Sequence, residues 1–138
     1  MNVGRCDHDG VVSDCPFCAP RSEQIIHEGE LVLGLWDGFP VSPGHALIVP
    51  KRHVADWFGA TPEERAELWN AVESVRKVIE QHHQPDGYNV GFNCGRAAGQ
   101  TVFHLHLHVI PRYDGDVEDP RGGVRHVIPD KVRYWEED

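Results

Sequence analysis

Three histidines, His104, His106 and His108, alternate with apolar residues between Thr101 and Ile110. Successive side chains of a strand point to opposite faces, so the three imidazoles are expected on one face and the apolar residues on the other. A neutral imidazole is a nucleophile near pH 7, and its neighbour can donate a hydrogen bond to developing negative charge. The pattern therefore favours nucleophilic attack on a phosphoryl group over a strand that uses histidine only as a polar residue.

A metal site on the same histidines is the alternative. Neighbouring members of the series lie about 7 Å apart along a strand and the outer two about 13 Å apart. One ion can bind two of them readily, but binding all three requires a bulge. A zinc hydrolase that uses the three histidines as ligands therefore stays open.

A second group of potential ligands lies near the N-terminus. Cys15 and Cys18 form a Cys-x-x-Cys pair whose sulfurs can share one zinc, although a structural site needs two further ligands. A redox pair or two independent thiols have the same spacing. Cys6 and His8 lie in the same stretch and are alternative ligands.

Length and charge limit the classes of function. A chain of 138 residues fits one domain with a hydrophobic core. Its formal charge of −9 argues against non-specific nucleic-acid binding, which depends on a basic surface. The sequence has no apolar run of about 20 residues and no signal-peptide core, so we expect a cytoplasmic protein that does not bind membranes.

One long helix and several short strands must position these side chains. Thr61 is a suitable N-cap, Pro62 suits the first helical position, and Glu64 completes a capping box, so a helix is predicted to run to about His82. The strands do not alternate with helices, which indicates an α+β domain with an antiparallel sheet. The predicted strands are Ile25-Ile26, Leu31 to Trp36, Ala46 to Val49, Tyr88 to Phe92 and Val102 to Ile110.

The segment from His104 to Ile110 matches the His-φ-His-φ-His-φ-φ signature of the histidine-triad family, where φ is an apolar residue. The stretch from Asn93 to Val102 resembles that family's phosphate-binding loop, and Pro43 to His53 resembles another of its motifs. The resemblance covers roughly residues 14 to 113. It implies an antiparallel sheet of about five strands with one long helix, extended across a homodimer.

The resemblance also implies a division of the chain. Residues 1–20 would be an N-terminal segment tethered by zinc, residues 21–113 the histidine-triad core, and residues 114–138 a C-terminal extension of the same domain. Some members of the family hold a structural zinc with a Cys-x-x-Cys pair and two histidines. The matching residues here are Cys15, Cys18, His53 and His104.

The family's roles can be carried over residue by residue. His106 would be the nucleophile that forms a nucleotidyl-histidine intermediate, and His108 would contact the phosphate. His45 is more readily interpreted as supporting these residues than as reacting itself. The expected substrate contacts are Asp37 on the ribose, Leu35 and Trp36 near the base, and Asn93, Gly99, Gln100 and Thr101 near the phosphate; for Trp36, a place in the core is the alternative.

The resemblance therefore implies an enzyme that releases a nucleoside 5′-monophosphate, AMP or GMP, from a dinucleoside polyphosphate, a phosphoramidate or a related conjugate. If inorganic phosphate replaced water, the enzyme would be a phosphorylase. A nucleotide-binding or sensing protein with little turnover is the alternative. Arg121 and Arg125 either reach a polyphosphate or belong to a solvated loop.

Overall fold

Five antiparallel strands form one sheet in the computed structural model, which describes residues 14–136. Cys6 and His8 lie outside the described residues. The strands stand in the order β1-β2-β3-β5-β4, so β1 and β4 are the two edges. Their bounds are Ile25–Glu28 for β1, Val32–Trp36 for β2, Ala46–Pro50 for β3, Gly87–Gly91 for β4 and Leu107–Arg112 for β5.

The helix α1 spans Pro62–His82, as the capping signals predict. The Thr61 hydroxyl accepts from the Glu64 amide at 3.0 Å, and the Thr61 amide donates to the Glu64 carboxylate at 2.9 Å. This reciprocal pair satisfies two N–H groups that have no partner within the helix. The predicted α+β fold, with one long helix and five antiparallel strands, is confirmed; the joining of two sheets in a homodimer stays a prediction.

The helix covers one face of the sheet. Leu68, Val75 and Ile79 of α1 are fully buried against apolar side chains of the strands. Gly34 in β2 lies directly beneath the helix, where a Cβ atom would come within 2.9 Å of the Val75 side chain. The absence of a side chain at Gly34 is what allows this close approach.

The opposite face of the sheet carries the histidines. His108 and Ile110 of β5 point to this face, while Leu107 and Val109 enter the core beneath the helix. A second, smaller apolar cluster on the histidine face contains Leu35, Leu47 and Val49, which come from β2 and β3. The sheet thus separates a core that holds the fold together from a face on which ligands can bind.

The histidine strand is shorter than predicted. β5 begins at Leu107, and the residues from 102 to 104 form a bend. Ahead of the strand, the Leu105 amide donates to the Val54 carbonyl at 2.8 Å, and His104 is fully buried. The bend turns His104 away from the open face that His106 and His108 share.

Between β5 and residue 136, the C-terminal segment contains three short 3-10 helices, Gly123–Val127, Pro129–Lys131 and Tyr134–Glu136. It returns over the histidine face, where Gly123 lies against the Asn89 side chain of β4. Within residues 14–136, no helix has the length and apolar character needed to cross a membrane.

Candidate active site and metal centre

The bend before β5 brings His104 together with Cys15, Cys18 and His53. The ligand atoms of these four residues all lie within 4.8 Å of one another. His104 Nδ1 is 3.4 Å from Cys15 Sγ, 3.5 Å from Cys18 Sγ and 3.2 Å from His53 Nδ1. Two sulfurs and two imidazole nitrogens at these separations form a candidate metal site, with the ligand set that the family resemblance implies.

The second nitrogen of His104 fixes the orientation of its ring. His104 Nε2 donates to the Pro50 carbonyl at 2.8 Å, which leaves the lone pair of Nδ1 facing the two cysteines. Metal-bound histidines characteristically donate their other N–H to a carbonyl or carboxylate in this way. The orientation of His104 therefore suits a metal ligand.

His106 has the tautomer that a nucleophile needs. Its Nδ1 lies 2.8 Å from the main-chain carbonyl of His104, and because a carbonyl only accepts, Nδ1 carries the proton. The lone pair is then on Nε2. The Phe17 ring, which lies between the two cysteines in the sequence, packs on the His106 imidazole with centroids 5.0 Å apart.

His108 belongs to a chain of hydrogen bonds through His45. The Val41 amide donates to His45 Nδ1 at 3.1 Å, so the proton of neutral His45 is on Nε2. That atom lies 3.0 Å from His108 Nδ1 and 3.4 Å from the Asp37 carboxylate. Because His108 Nδ1 accepts from His45, His108 carries its own proton on Nε2, the nitrogen on the other side of the ring.

Burial keeps these imidazoles uncharged. Desolvation is the main reason that the pKa of His108 falls to about 4, and the neighbouring His106 and His45 lower it further. Desolvation also lowers the pKa of His106 and of His45, although the charge of Asp37 opposes it in both cases. The lowered pKa favours a neutral His106, which keeps its lone pair on Nε2.

Asp37, His45 and His108 are close enough to be a second group of possible metal ligands. A metal on His45 Nε2 would need the proton on Nδ1, where the Val41 amide already donates. The tautomer therefore favours a hydrogen-bond chain over a metal site. Neither group of possible ligands within residues 14–136 includes His106, which weakens the case for a zinc hydrolase built on all three histidines.

Gln100 organises the loop before the histidines and does not reach into the site. Its side chain accepts from the Gly95 amide at 2.9 Å and donates to the carbonyls of Ala55 and Val102 at 2.7 and 3.1 Å. Only 4% of Gln100 is exposed. Its predicted place among the phosphate contacts is therefore corrected to a support for the loop.

Three other predicted phosphate contacts, Asn93, Gly99 and Thr101, are exposed on the loop. Gly99 has a φ of +93°, a left-handed conformation that favours glycine, and its amide donates back to the Arg96 carbonyl. The loop therefore follows a tight path whose conformation is set by Gly99 and Gln100.

Leu35 and Trp36 point to opposite faces of the sheet. Leu35 belongs to the apolar cluster on the histidine face, against which Phe17 packs. Trp36 points to the helix face, where its ring contacts those of His82 and His83. Because adjacent strand residues alternate between faces, Trp36 packs against the core, which is the alternative to its place near the base, and the structure does not bring it to the histidine face.

Arg121 and Arg125 are engaged within the C-terminal segment. Arg121 pairs with the Asp119 carboxylate at 3.0 Å and lies over the Trp135 ring. Arg125 donates to the carbonyls of Lys131 and Val132. These contacts hold the segment together and do not support a polyphosphate clamp.

Comparison with known proteins agrees with this site. The HIT domain, the histidine-triad family, matches residues 20–115. The chain belongs to the HIT family.

Several HIT proteins are similar over most of the chain. An uncharacterised HIT-like protein of Methanocaldococcus jannaschii is 41% identical, with 86% of this chain and 95% of that protein covered. A bis(5′-adenosyl)-triphosphatase of Dictyostelium discoideum is 39% identical, with 72% and 66% covered. The crystal structure of a zinc-bound histidine-triad family protein from Mycobacterium smegmatis has a TM-score of 0.66 and 38% identity, with 74% of this chain and 77% of that chain covered.

Sequence reasoning did not find the contact that Phe17 of this HIT chain makes with His106. A signal was nevertheless present. Phe17 lies between Cys15 and Cys18 in the sequence. A metal site that includes both cysteines and His104 brings Phe17 close to His106, which is two positions after His104. The role of the Val41 amide cannot be inferred from the sequence, because every residue except proline has a main-chain N–H that can donate.

The hydrogen-bond chain predicts the protonation state of His108. We expect imidazole ¹⁵N chemical shifts typical of a neutral Nε2–H tautomer at pH 7 and at pH 5.5, because its pKa is about 4. The charged form should appear only as the pH approaches 4. Two-bond ¹H–¹⁵N NMR spectra, with the resonance assigned from the His108→Asn variant, test this. An imidazolium signal from His108 at pH 6 would contradict it.

Proposed function

We propose that this HIT protein is a nucleotide hydrolase or transferase, which releases a nucleoside 5′-monophosphate through a nucleotidyl-histidine intermediate on His106. The observation that carries the proposal is the tautomer of His106, whose Nδ1–H is fixed by the His104 carbonyl so that Nε2 presents a lone pair. The similarity to a bis(5′-adenosyl)-triphosphatase supports the same class of reaction. The substrates are dinucleoside polyphosphates, phosphoramidates or related nucleotidyl conjugates.

In the proposed reaction, His106 Nε2 attacks the α-phosphorus and the bond to the leaving group breaks. His108 donates its Nε2–H to a phosphoryl oxygen, where negative charge develops. Asn93, Gly99 and Thr101 bind the phosphate from the loop that Gln100 supports. Water, or inorganic phosphate in a phosphorylase, then cleaves the nucleotidyl-histidine bond.

The nucleoside would lie over β2 and β3. Asp37, which is partly exposed next to His45, accepts hydrogen bonds from the ribose hydroxyls. Leu35 and the adjoining apolar cluster, with Phe17 at its edge, provide an apolar surface for a purine. The nucleoside would thus extend from His106 towards β2 and β3, because Asp37 and the apolar cluster around Leu35 both lie on that side.

Zinc fits the cluster of Cys15, Cys18, His53 and His104, because two sulfurs and two nitrogens are its usual ligands in structural sites. When bound, it would link the N-terminal segment to His53 and His104. It would not activate the attacking group, which is the imidazole of His106. Pro50 completes the site by accepting the N–H of His104.

Replacement of the nucleophile tests the mechanism. We expect His106→Ala to lower kcat on diadenosine triphosphate or adenosine 5′-phosphoramidate by at least about a thousandfold, because no other group takes over its bond to phosphorus. Intact-protein mass spectrometry of acid-quenched wild-type enzyme should show one added nucleotidyl group, and the variant none. His82→Ala, at the exposed end of α1, is the control.

Two outcomes would contradict the proposed enzymatic reaction. Turnover by His106→Ala at the wild-type rate would refute the histidine nucleophile. Tight binding of AMP by the wild-type protein, with no adduct and no turnover on any conjugate, would instead support a nucleotide sensor.

A pair of variants tests the support that His45 gives to His108. In His45→Gln the side-chain amide can still donate to His108 Nδ1, whereas His45→Phe has no donor. We expect His45→Phe to lower kcat about tenfold or more with little change in KM, because His108 loses its fixed orientation. His45→Gln should restore most of the rate. Equal losses in the two variants would contradict the hydrogen-bond role.

Metal analysis of matched cysteine variants tests the zinc site. We expect about one zinc per wild-type chain, a large loss in Cys18→Ser, and retention in Cys94→Ser, because Cys94 lies in the loop outside the cluster. Elemental analysis after dialysis gives the occupancy, and the melting temperature should fall with the zinc content. Equal zinc in both variants would show that Cys18 is not a ligand.

A further inference from the structure

A trough leads away from His108 along the histidine face of the sheet. It begins as a cavity of about 390 Å³ beside His45 and His108 and continues into a second cavity of about 500 Å³. The two cavities share Val41, Asn89 and Ile110 as lining residues. The apolar cluster around Leu35 lies over β2 and β3, whereas the trough lies over β5 and β4, so the histidines stand between the two.

The first cavity has an apolar rim. Val41, Val124 and Val127 are 72%, 68% and 78% exposed, although all three line it, and Ile110 forms its floor. Val124 and Val127 belong to the C-terminal segment, which lies beyond the residues that match the HIT domain. This part of the site is therefore built by a segment outside the matched domain.

The trough offers little attraction to a polyanion. Arg112 is the one permanent cation among the described residues that line the two cavities. Its guanidinium is paired with the Asp116 carboxylate at 2.8 and 2.9 Å and also donates to the Asn89 side chain. Asp116 and Asp119 both line the trough, so the trough has more acidic groups than permanent cations. A polyphosphate chain would bring further negative charge to this surface.

We propose that the trough binds the leaving group, and that it selects nucleotidyl conjugates whose leaving group has an apolar body and no phosphate. This inference rests on the proposed function, since it assigns the group that departs when His106 is nucleotidylated. Two sources share this chemistry, the acyl group of a nucleotidyl carboxylate and the substituent of a nucleotidyl amine. Val41, Val124 and Val127 are the residues that determine the preference.

The bonds and protons balance for both sources. His106 Nε2 forms a bond to phosphorus as the P–O or P–N bond breaks, and the electron pair stays on the leaving atom. A carboxylate departs as the anion and needs no proton. An amine departs neutral and takes its proton from solvent water, because neutral His108 would become an imidazolate if it gave up Nε2–H. Water then attacks the nucleotidyl-histidine and one of its protons passes to the solvent, which in the amine case replaces the proton that the amine took. The electron pair of the histidine P–N bond returns to His106 Nε2.

Matched substrates isolate the apolar body from the reactivity of the bond. If the leaving group is an amine, we expect kcat/KM for the N-phenethyl phosphoramidate of AMP to exceed that for the N-methyl compound by about tenfold or more. If it is an acyl group, we expect kcat/KM for phenylacetyl adenylate to exceed that for acetyl adenylate by a similar factor. The pair that shows the preference identifies the source as an amine or an acyl group. Diadenosine triphosphate should have a lower kcat/KM than the preferred compound.

Variants locate this preference on the trough. In the double variant Val124→Ser/Val127→Ser, the ratio within the preferred pair should fall towards one, because the apolar contact is removed. Ile128→Ser should retain the ratio: Ile128 is also exposed, at 57%, and adjoins Val127, but it lines neither cavity. The comparison therefore controls for a general disturbance of the segment.

The failures of the two proposals are distinguishable. If His106 is nucleotidylated but both ratios are near one in the wild type, or diadenosine triphosphate is the best substrate, the assignment of the trough is wrong. An unchanged ratio in the double variant would also overturn it. If no conjugate nucleotidylates His106, the proposed function is wrong and this inference falls with it.

Discussion

The 2.8 Å hydrogen bond from His106 Nδ1 to the main-chain carbonyl of His104 is the contact on which the rest of the site depends. It places the lone pair on Nε2 of His106, the atom that attacks phosphorus in the proposed reaction. The carbonyl is itself held in place, because the His104 side chain is buried among Cys15, Cys18 and His53 and donates to Pro50. One residue thus joins the candidate metal site through its side chain to the proposed nucleophile through its backbone.

The two faces of the sheet divide the work of the chain. The helix face supplies the apolar burial that stabilises the fold, with Val75 of α1 packed against Gly34. The histidine face places its imidazoles where desolvation lowers their pKa values. Burying a neutral imidazole that has a hydrogen-bond partner costs far less than burying its charged form. The site can therefore be desolvated and still remain part of a stable sheet.

The sequence predicts the parts of this structure that local rules determine. The signals at Thr61, Pro62 and Glu64 are local, and the helix begins where they indicate. The alternation of His106 and His108 with apolar residues gives their common face correctly. The start of β5 does not follow from the alternation, because the bend depends on the Val54 carbonyl and on the cluster around His104, both of which come from distant parts of the chain.

Contacts made in the folded chain also decide which polar side chains remain available to a ligand. Gln100 has the polarity of a phosphate ligand, yet its amide is fully engaged by backbone groups, one of them at Ala55. Arg121 and Arg125 have the charge of phosphate ligands, yet contacts within their own segment occupy them. The type of a residue determines which hydrogen bonds and ion pairs its side chain can form. The groups that surround it in the folded chain determine which of these remain available to a ligand.

A nucleotide therefore reaches an acidic protein whose proposed reactive groups are neutral. With a formal charge of −9 and lowered pKa values for His106 and His108, strong electrostatic attraction of the phosphate is not expected. Oriented N–H donors such as that of His108 act most strongly where charge develops during the reaction, so they favour the transition state over the bound substrate. In the proposed reaction, selectivity then depends on the groups at the two ends of the phosphate, the nucleoside over β2 and β3 and the leaving group over β5 and β4. The apolar surfaces on both sides of the histidines are consistent with this division.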